Sequence, residues 1–312
     1  MVEDSNPILQ DEWPDDHKSG VVAVIGRPNV GKSTLINAIL GQKIAIATPK
    51  PQTTRRTQMG IYTIQQAQMM LVDTPGLHKA RNRMGEYMMN EAEFALRDAD
   101  VNLWILDTSE PPSAADGYIA QTLKDLAPNI PLVLALNKID QHQGDDYSAF
   151  TQLIEHERAY PISALKGDGI EALVNHLIDL LPEGPRYYPV DQVSDVTMRF
   201  IAAEIIREKV MMNTEQEIPH AVAVEIFDYK DNEARTNIDA IIYVERDSQK
   251  GIVIGKGGSM IKQIGTQARH EIMDTIERPV HLDLRVKVLK NWRTNESFMR
   301  RVGYRFPKKE DK

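Results

Sequence analysis

An eight-residue turn, Gly26-Arg-Pro-Asn-Val-Gly-Lys-Ser33, restricts what this chain can fold into more than any other stretch. It matches G-x-x-x-x-G-K-[ST], a pattern that chance supplies in roughly one chain of this size in a hundred. Its flanks add weight. Val21-Val-Ala-Val-Ile25 is β-branched and continuous, as a buried parallel strand is, and Thr34-Leu-Ile-Asn-Ala-Ile-Leu40 continues as a helix. Such a strand–loop–helix aims backbone N–H groups and the positive end of a helix dipole at a phosphate. Gly26, Arg27, Pro28, Asn29, Val30, Gly31, Lys32, Ser33 and Thr34 are therefore candidate nucleotide contacts. Lys32 would reach the β- and γ-phosphates and the Ser33 hydroxyl would bind Mg²⁺. A plain glycine-rich turn is the alternative, and the flanks disfavour it.

The first 182 residues alternate short apolar runs with amphipathic stretches. Strands are expected at Met69–Asp73, Val101–Asp107, Pro131–Asn137 and Ala159–Ser163, with helices at Arg83–Arg97, Ala115–Leu126, Tyr147–Glu157 and Gly169–Leu181. That alternation means βαβ units, hence a mostly parallel sheet with helices on both faces. Gln58–Ile64 reads as an antiparallel edge strand. Three prolines and a glycine in Leu181–Val190 mark a linker, placed at 183–194. Beyond it the alternation stops. A helix at Asp195–Met211, strands at His220–Tyr229 and Ile238–Asp247, a glycine-rich segment, a helix to Glu277 and a strand at Val280–Leu289 make a smaller α+β domain. The divisions are thus 1–18 as an acidic disordered tail, 19–182, the linker, 195–306, and a charged tail at 307–312.

Three further motifs follow the phosphate loop in order, each at the end of an expected strand. Asp73-Thr-Pro-Gly76 is a D-x-x-G, common by chance, but it lies where ligands of open α/β sheets bind. Asp73 can hold Mg²⁺ through water, and the Gly76 N–H can meet a γ-phosphate whose loss would release the following loop. Thr74 and Pro75 complete that turn. Asn137-Lys-Ile-Asp140 comes next, then Ser163-Ala-Leu165. A carboxylate at Asp140 accepts from guanine N1–H and its exocyclic amine, whereas adenine would leave that charge unpaired. Asn137, Lys138, Asp140, Ser163, Ala164 and Leu165 are the candidate base contacts.

In the second half, Gly255-Lys-Gly-Gly258 is a G-x-x-G between an apolar, strand-like Ile252-Val-Ile and a helix that starts at Ser259. A loop of this kind clamps a nucleic-acid backbone. Lys256 and Lys262 add charge, and nine basic residues against one acid follow between Arg285 and Lys309, among them Lys287, Lys290, Arg300 and Arg301. Trp292, Tyr304 and Phe306 interleave with them as stacking candidates, although packing is the favoured reading for Trp292. Charge supports the division: residues 1–185 carry 15 basic and 25 acidic side chains, residues 186–312 carry 22 and 20, and from Arg246 onward the count is 16 against 8. A basic end on a protein of net charge −8 points to an anionic partner for that end. The absence of cysteine excludes disulfides, thiolate metal sites and a cysteine nucleophile. No apolar run approaches the roughly 18 residues of a spanning helix. The eight histidines show no metal-ligand spacing, and His78 and His281 need no catalytic role.

The ordered set GRPNVGKS, TTR, DTPG, NKID and SAL resembles the translation-factor class of GTPases, in the branch holding the Era family and the tRNA-modification GTPases. Over Gly20–Tyr304 the chain is similar to the Era family, including Glu204-Ile-Ile-Arg-Glu-Lys209 and Val253-Ile-Gly255. The resemblance implies a P-loop GTPase domain followed by a KH type II domain. It implies a monomeric cytoplasmic switch that binds GTP and GDP with Mg²⁺, binds the 3′ end of 16S rRNA, assists maturation of the 30S subunit, and touches the inner membrane peripherally. It places Thr54 of Gln52-Thr-Thr-Arg55 as the switch threonine on Mg²⁺, with Thr53 the competitor. Lys32, Thr54, Asp73 and Gly76 are then the catalytic set. Leu77 stands where Ras-type GTPases often carry a water-orienting glutamine, so intrinsic hydrolysis is expected to be slow. Asn29 corresponds to an asparagine that helps bind K⁺ in the tRNA-modification GTPases, or it simply braces the loop. The rivals are a tRNA-modifying enzyme with an attached GTPase domain, and a constitutive RNA-binding protein with a structural nucleotide site.

Overall fold

A computed structural model describes residues 13–46, 48, 50, 53–77, 82–142, 144, 146–304 and 306. The chain forms two compact units, one of Met1–Ala45, Thr54–Lys79 and Met88–Asp195, the other of Ile46–Thr53, Ala80–Tyr87 and Val196–Lys312.

In chain order the first half holds β1 (Lys18–Ile25), α1 (Lys32–Leu40), β2 (Gln58–Thr63), β3 (Ala67–Asp73), α2 (Arg83–Asp98) and β4 (Val101–Asp107). It continues with α3 (Ala114–Leu126), β5 (Leu132–Asn137), α4 (Ser148–Thr151), β6 (Arg158–Ile162) and α5 (Ile170–Leu180). The sheet order is β2-β3-β1-β4-β5-β6, parallel except for β2, which runs antiparallel to β3. The continuous apolar runs are explained by burial on both faces. On β4, Val101, Leu103 and Ile105 enter one core with Leu35, Ile36, Leu173 and Leu177, while Trp104 and Leu106 enter the other with Leu96, Ile119 and Leu123. A sheet so covered brings the carboxyl ends of β1, β3, β4, β5 and β6 to one edge, where ligands of open α/β sheets bind.

In the first half two expectations need correction. The helix expected over Tyr147–Glu157 is the single turn α4. Phe150 is buried by that turn, but the Glu157 N–H already donates to Leu132 O at 2.8 Å, so sheet pairing claims the chain too soon for a helix to continue. The acidic tail does not extend to residue 18. His17 is buried, its Nδ1 lies 2.8 Å from Gly184 O, the Gly184 N–H donates to His17 O at 2.9 Å, and Lys18 opens β1. Residues 1–12 lie outside the described residues, as do His78 and 307–312.

The proline-rich stretch lies along the first unit. Buried Gln68 accepts at Oε1 from the Tyr187 and Tyr188 N–H groups at 2.7 and 2.9 Å, and its Nε2 donates to Tyr188 O at 2.9 Å. The Ile61 N–H donates to Val193 O at 2.9 Å and the Ser194 hydroxyl to Met59 O at 2.7 Å, so the exposed edge of β2 is partly covered.

The second half contains α6 (Met198–Asn213), α7 (Ile218–Ala221), β7 (Ala223–Asp231), β8 (Thr236–Val244), α8 (Asp247–Ile254), α9 (Ser259–Ile276), β9 (Val280–Val288) and α10 (Glu296–Arg301). Thr197 caps α6 by accepting from the Phe200 N–H at 3.2 Å. β7 pairs antiparallel with β8, which pairs parallel with β9. One face of that sheet packs on the helices through Ile205, Ile206, Ile238, Ile242, Val253, Ile264 and Ile272. The strand-like run Ile252-Val-Ile is the last turn of α8. Gln249 starts that helix by accepting from the Glu245 and Arg246 N–H groups, and its buried residues, Gln249 and Val253, are four apart, a helical spacing. Trp292 is fully buried and donates from Nε1 to Ala221 O at 2.7 Å, a packing role.

Candidate nucleotide site and nucleic-acid groove

The turn after β1 runs from Gly26 (φ 152°) through Asn29 (φ 66°) to Gly31 (φ 103°), which opens α1. A Cβ on Gly26 would sit 2.5 Å from Ile105 O, and one on Gly31 would collide with the Asn137 amide. Glycine is required at both places by close approach. Val30 is buried beneath the loop. Lys32 is buried, and its ammonium donates to Gly26 O at 3.2 Å and Arg27 O at 2.9 Å. Burial lowers its pKa to about 8, against an upward pull from Asp73.

Beside the lysine, three oxygen groups meet. The Ser33 hydroxyl donates to Asp73 Oδ2 at 2.7 Å, Thr54 Oγ1 donates to the same oxygen at 3.1 Å, and the two hydroxyls lie 3.0 Å apart. Asp73 is fully buried, and its Oδ1 has no hydrogen-bond partner. Burial pushes its carboxyl up, against Lys32 and the two hydroxyls. Hard oxygen donors around a buried carboxylate with an unused oxygen suit a small divalent cation. Thr53, the competitor, bonds instead to Thr48 Oγ1 at 2.8 Å and Lys50 O at 2.7 Å. Thr74 is structural, donating to Val24 O at 2.8 Å. A Cβ on Gly76 would lie 2.6 Å from Pro28 N, so the D-x-x-G turn and the phosphate loop touch only because that residue is glycine. Pro75 is buried in the same turn. Leu77 packs into the core with Ile25, Leu96 and Trp104.

At the end of β5, Asn137 works as a strut. Its Nδ2 donates to Val30 O at 2.7 Å and its Oδ1 accepts from the Ala164 N–H at 2.9 Å, which ties the phosphate loop to the Ser163–Leu165 turn. Lys138, at φ 71°, is paired with Asp107. Burial pushes the Asp107 carboxyl up, but the bonds from Lys138 and Ser109 outweigh it and hold it low. Asp140 Oδ1 accepts from the Ser163 hydroxyl at 2.7 Å, which keeps that carboxyl low and ionised. Leu165 is 77% exposed at the rim. Thr34 lies within the first turn of α1.

In the second unit the G-x-x-G sits between α8 and α9. Gly255, Gly257 and Gly258 all have positive φ (75°, 60° and 80°). A Cβ on Gly255 would lie 2.7 Å from Met260 N, whereas Gly257 and Gly258 face open space. Lys256 is exposed. Next to this loop runs a groove of about 320 Å³, lined by Ile261, Lys262, Gly265, Thr266 and Arg269 of α9 and by Leu282 and Leu284 of β9. Apart from Lys262, sequence reasoning missed these residues. The signal was present: 261, 265 and 269 share one helix face at spacing four, and 282 and 284 share one strand face.

The remaining basic candidates are not on that groove. Lys287 alternates with Val286 and Val288 and so faces the opposite side of β9 from Leu282 and Leu284. Lys290 lines a separate polar hollow with Glu245, Asp247 and Arg293. Arg300 lies over the Phe306 ring, and Arg301 pairs with Glu225 at 3.0 Å and lies over Phe298. Among the described residues no helix is long and apolar enough to cross a membrane.

Comparison with known proteins finds two families in the one chain. Residues 21–138 match the 50S ribosome-binding GTPase family, and residues 217–293 match the KH domain. GTPase Era of Ruminiclostridium cellulolyticum is 44% identical over 93% of this chain and 98% of its own. GTPase Era of Lacticaseibacillus paracasei is 46% identical over 93% and 97%. A crystal structure of Era with MgGDPNP and nucleotides 1506–1542 of 16S ribosomal RNA superposes with a TM-score of 0.87 at 37% identity, covering 93% of this chain and all of that one. A variant of Aquifex aeolicus Era bound to GDP·AlF4⁻ gives 0.86 at 38% identity with the same coverage. With a glycine-bounded phosphate loop, a buried Ser33–Thr54–Asp73 cluster and a G-x-x-G loop in one chain, and relatives alike over nearly its whole length, the protein belongs to the GTPase Era family and is a GTPase carrying a KH domain.

Proposed function

We propose that this GTPase is a Mg²⁺-dependent cytoplasmic switch that binds the 3′ end of 16S rRNA through its KH domain and assists 30S subunit maturation as a monomer. The observation that carries the proposal is the pairing, in one chain, of a cation-ready cluster at Ser33, Thr54 and Asp73 with an open G-x-x-G groove. The Era structure of TM-score 0.87 carries MgGDPNP and a 16S segment together, which supports the same pair of ligands here.

Ser33 and Thr54 would hold Mg²⁺ directly and Asp73 through water, and the cation would neutralise charge on the phosphate oxygens. Lys32 binds the β- and γ-phosphates, the Gly76 N–H reports the γ-phosphate, and Asp140 selects guanine. To reach the cation Thr54 would give up its bonds to Ser33 and Asp73, so nucleotide state would be read in the segment that leads into β2. Leu77, buried in the core, cannot orient a water, so intrinsic hydrolysis is slow. Asn29, exposed in the loop at φ 66°, is the residue through which K⁺ would accelerate it. Equal hydrolysis rates in K⁺ and Na⁺, unaltered in Asn29→Ala, would remove that role. Membrane contact is not part of the proposal.

The deciding experiment titrates a 3′-terminal 16S oligonucleotide against the protein loaded with GDP or with a non-hydrolysable GTP analogue. A switch requires different affinities in the two forms and, by linkage, an equal change in nucleotide affinity when RNA is bound. Identical constants would leave two independent domains, and no binding in either form would overturn the RNA assignment.

A further inference from the structure

Arg27 is the second residue of the phosphate loop, and its guanidinium reaches α3. Its Nε lies 2.9 Å from Oδ1 of Asp116, in the first turn of α3. Asp116 is 1% exposed, and its other oxygen accepts from the Ser113 N–H at 2.7 Å and the Ser113 hydroxyl at 2.8 Å, closing the helix cap. The contact at Oδ1 lacks the alignment of a hydrogen bond, so charge holds it. Among the described residues Arg27 is the cation paired with this buried carboxylate. Arg27 also presents the backbone carbonyl to which the Lys32 ammonium donates at 2.9 Å. One residue therefore faces two ways: its side chain is anchored on α3, and its carbonyl seats the phosphate-binding lysine.

We propose that Asp116 is a positioning residue for nucleotide binding, acting through Arg27 to fix the carbonyl that seats Lys32. The physical reason is leverage in a short loop. The turn from Gly26 to Gly31 contains three positive-φ residues and little regular hydrogen bonding, so its path depends on side-chain anchors at its ends. Asn137 anchors one end through Val30 O, and Asp116 anchors the other through Arg27. A buried carboxylate left without its cation would draw in water or move, and the loop would follow. The inference rests on the nucleotide-site reading above.

The test is a double-mutant cycle on the full chain, with GTP and GDP dissociation constants as readout. Asp116→Asn keeps the acceptor for Ser113 and removes the charge, while Arg27→Gln removes the partner. Each single variant should bind both nucleotides about tenfold more weakly, and the double variant should be no weaker than either single one, as coupled residues behave. Arg27→Lys, which keeps the charge, should recover most of the loss. Ser113→Ala is the control for the helix cap: it should lower thermal stability and leave nucleotide affinity unchanged. Additive losses in the double variant would overturn the proposal, and so would wild-type affinity in folded Asp116→Asn. If the unaltered protein bound no guanine nucleotide, the site reading would fail and not merely this refinement. Should Asp116→Asn fail to fold, Arg27→Gln and Arg27→Lys still decide, because an affinity indifferent to that side chain rules out transmission through it.

Discussion

The nucleotide site and the KH groove solve opposite recognition problems with opposite materials. Ser33, Asp73 and Asn137 are buried and bonded to Thr54 or to loop backbone, so apart from the switch threonine the first site is a stiff frame before any ligand arrives. The groove has apolar walls at Ile261, Leu282 and Leu284 and cationic residues at Lys262 and Arg269, and the G-x-x-G loop before it has open space at Gly257 and Gly258. A small ligand of fixed shape is read by placed atoms, and misplacing one is costly. A flexible strand is held by shape, stacking and backbone approach, so single contacts matter less.

Breaking the stiff site should give the largest effect. Asp140→Asn replaces an acceptor by a mixed group and should weaken GTP at least about 100-fold, while xanthine nucleotide, with a carbonyl where guanine has its amine, improves. Competition of the two nucleotides for one labelled GDP measures both, and unchanged GTP affinity would mean the base lies elsewhere. Next in size, Lys256→Asp with Gly257→Asp puts two carboxylates where phosphates must pass. Fluorescence anisotropy of a labelled 16S 3′ oligonucleotide should show RNA binding abolished while GTP affinity is retained.

A smaller effect follows from pH. The Lys32 pKa is about 8 in the free protein, and phosphate beside the ammonium raises it. Between those values the complex holds a proton that the free protein has lost. Nucleotide affinity should therefore be flat below pH 8 and fall above it, by at most about tenfold per unit for one group. Calorimetry in two buffers of different ionisation enthalpy should detect proton uptake on binding at pH 8.5 and none at pH 7. The smallest effect sharpens the contrast within the KH half: Lys287→Ala, on the face of β9 away from the groove, should change RNA affinity less than about twofold, whereas Arg269→Ala should weaken all RNAs and lower the salt slope by about one unit if it meets a phosphate. Equal losses would place RNA on both faces of the sheet.

How much of this was visible beforehand depends on the range over which each signal acts. Strand and helix identity in the first unit is legible in runs such as Leu103–Leu106 of β4, because burial on both faces leaves consecutive apolar residues instead of an alternating pattern. The same reasoning misjudged α4 and the run before Gly255. A pairing from Glu157 to Leu132 ended the first, and a Gln249 cap made the second a helix turn.

The sequence by itself determined the class of the nucleotide site, since phosphate loop, D-x-x-G and N-K-x-D each need only a few adjacent residues at a strand end. Only the tertiary structure bonded Thr54 to Ser33 and Asp73, turned Asn137 into a strut, placed Lys287 and Arg301 off the groove, and joined Arg27 to Asp116 across 89 positions. Each of those outcomes is a meeting between residues far apart in the chain. The order β2-β3-β1-β4-β5-β6 sets which strand ends become neighbours, and no local run of residues carries that order.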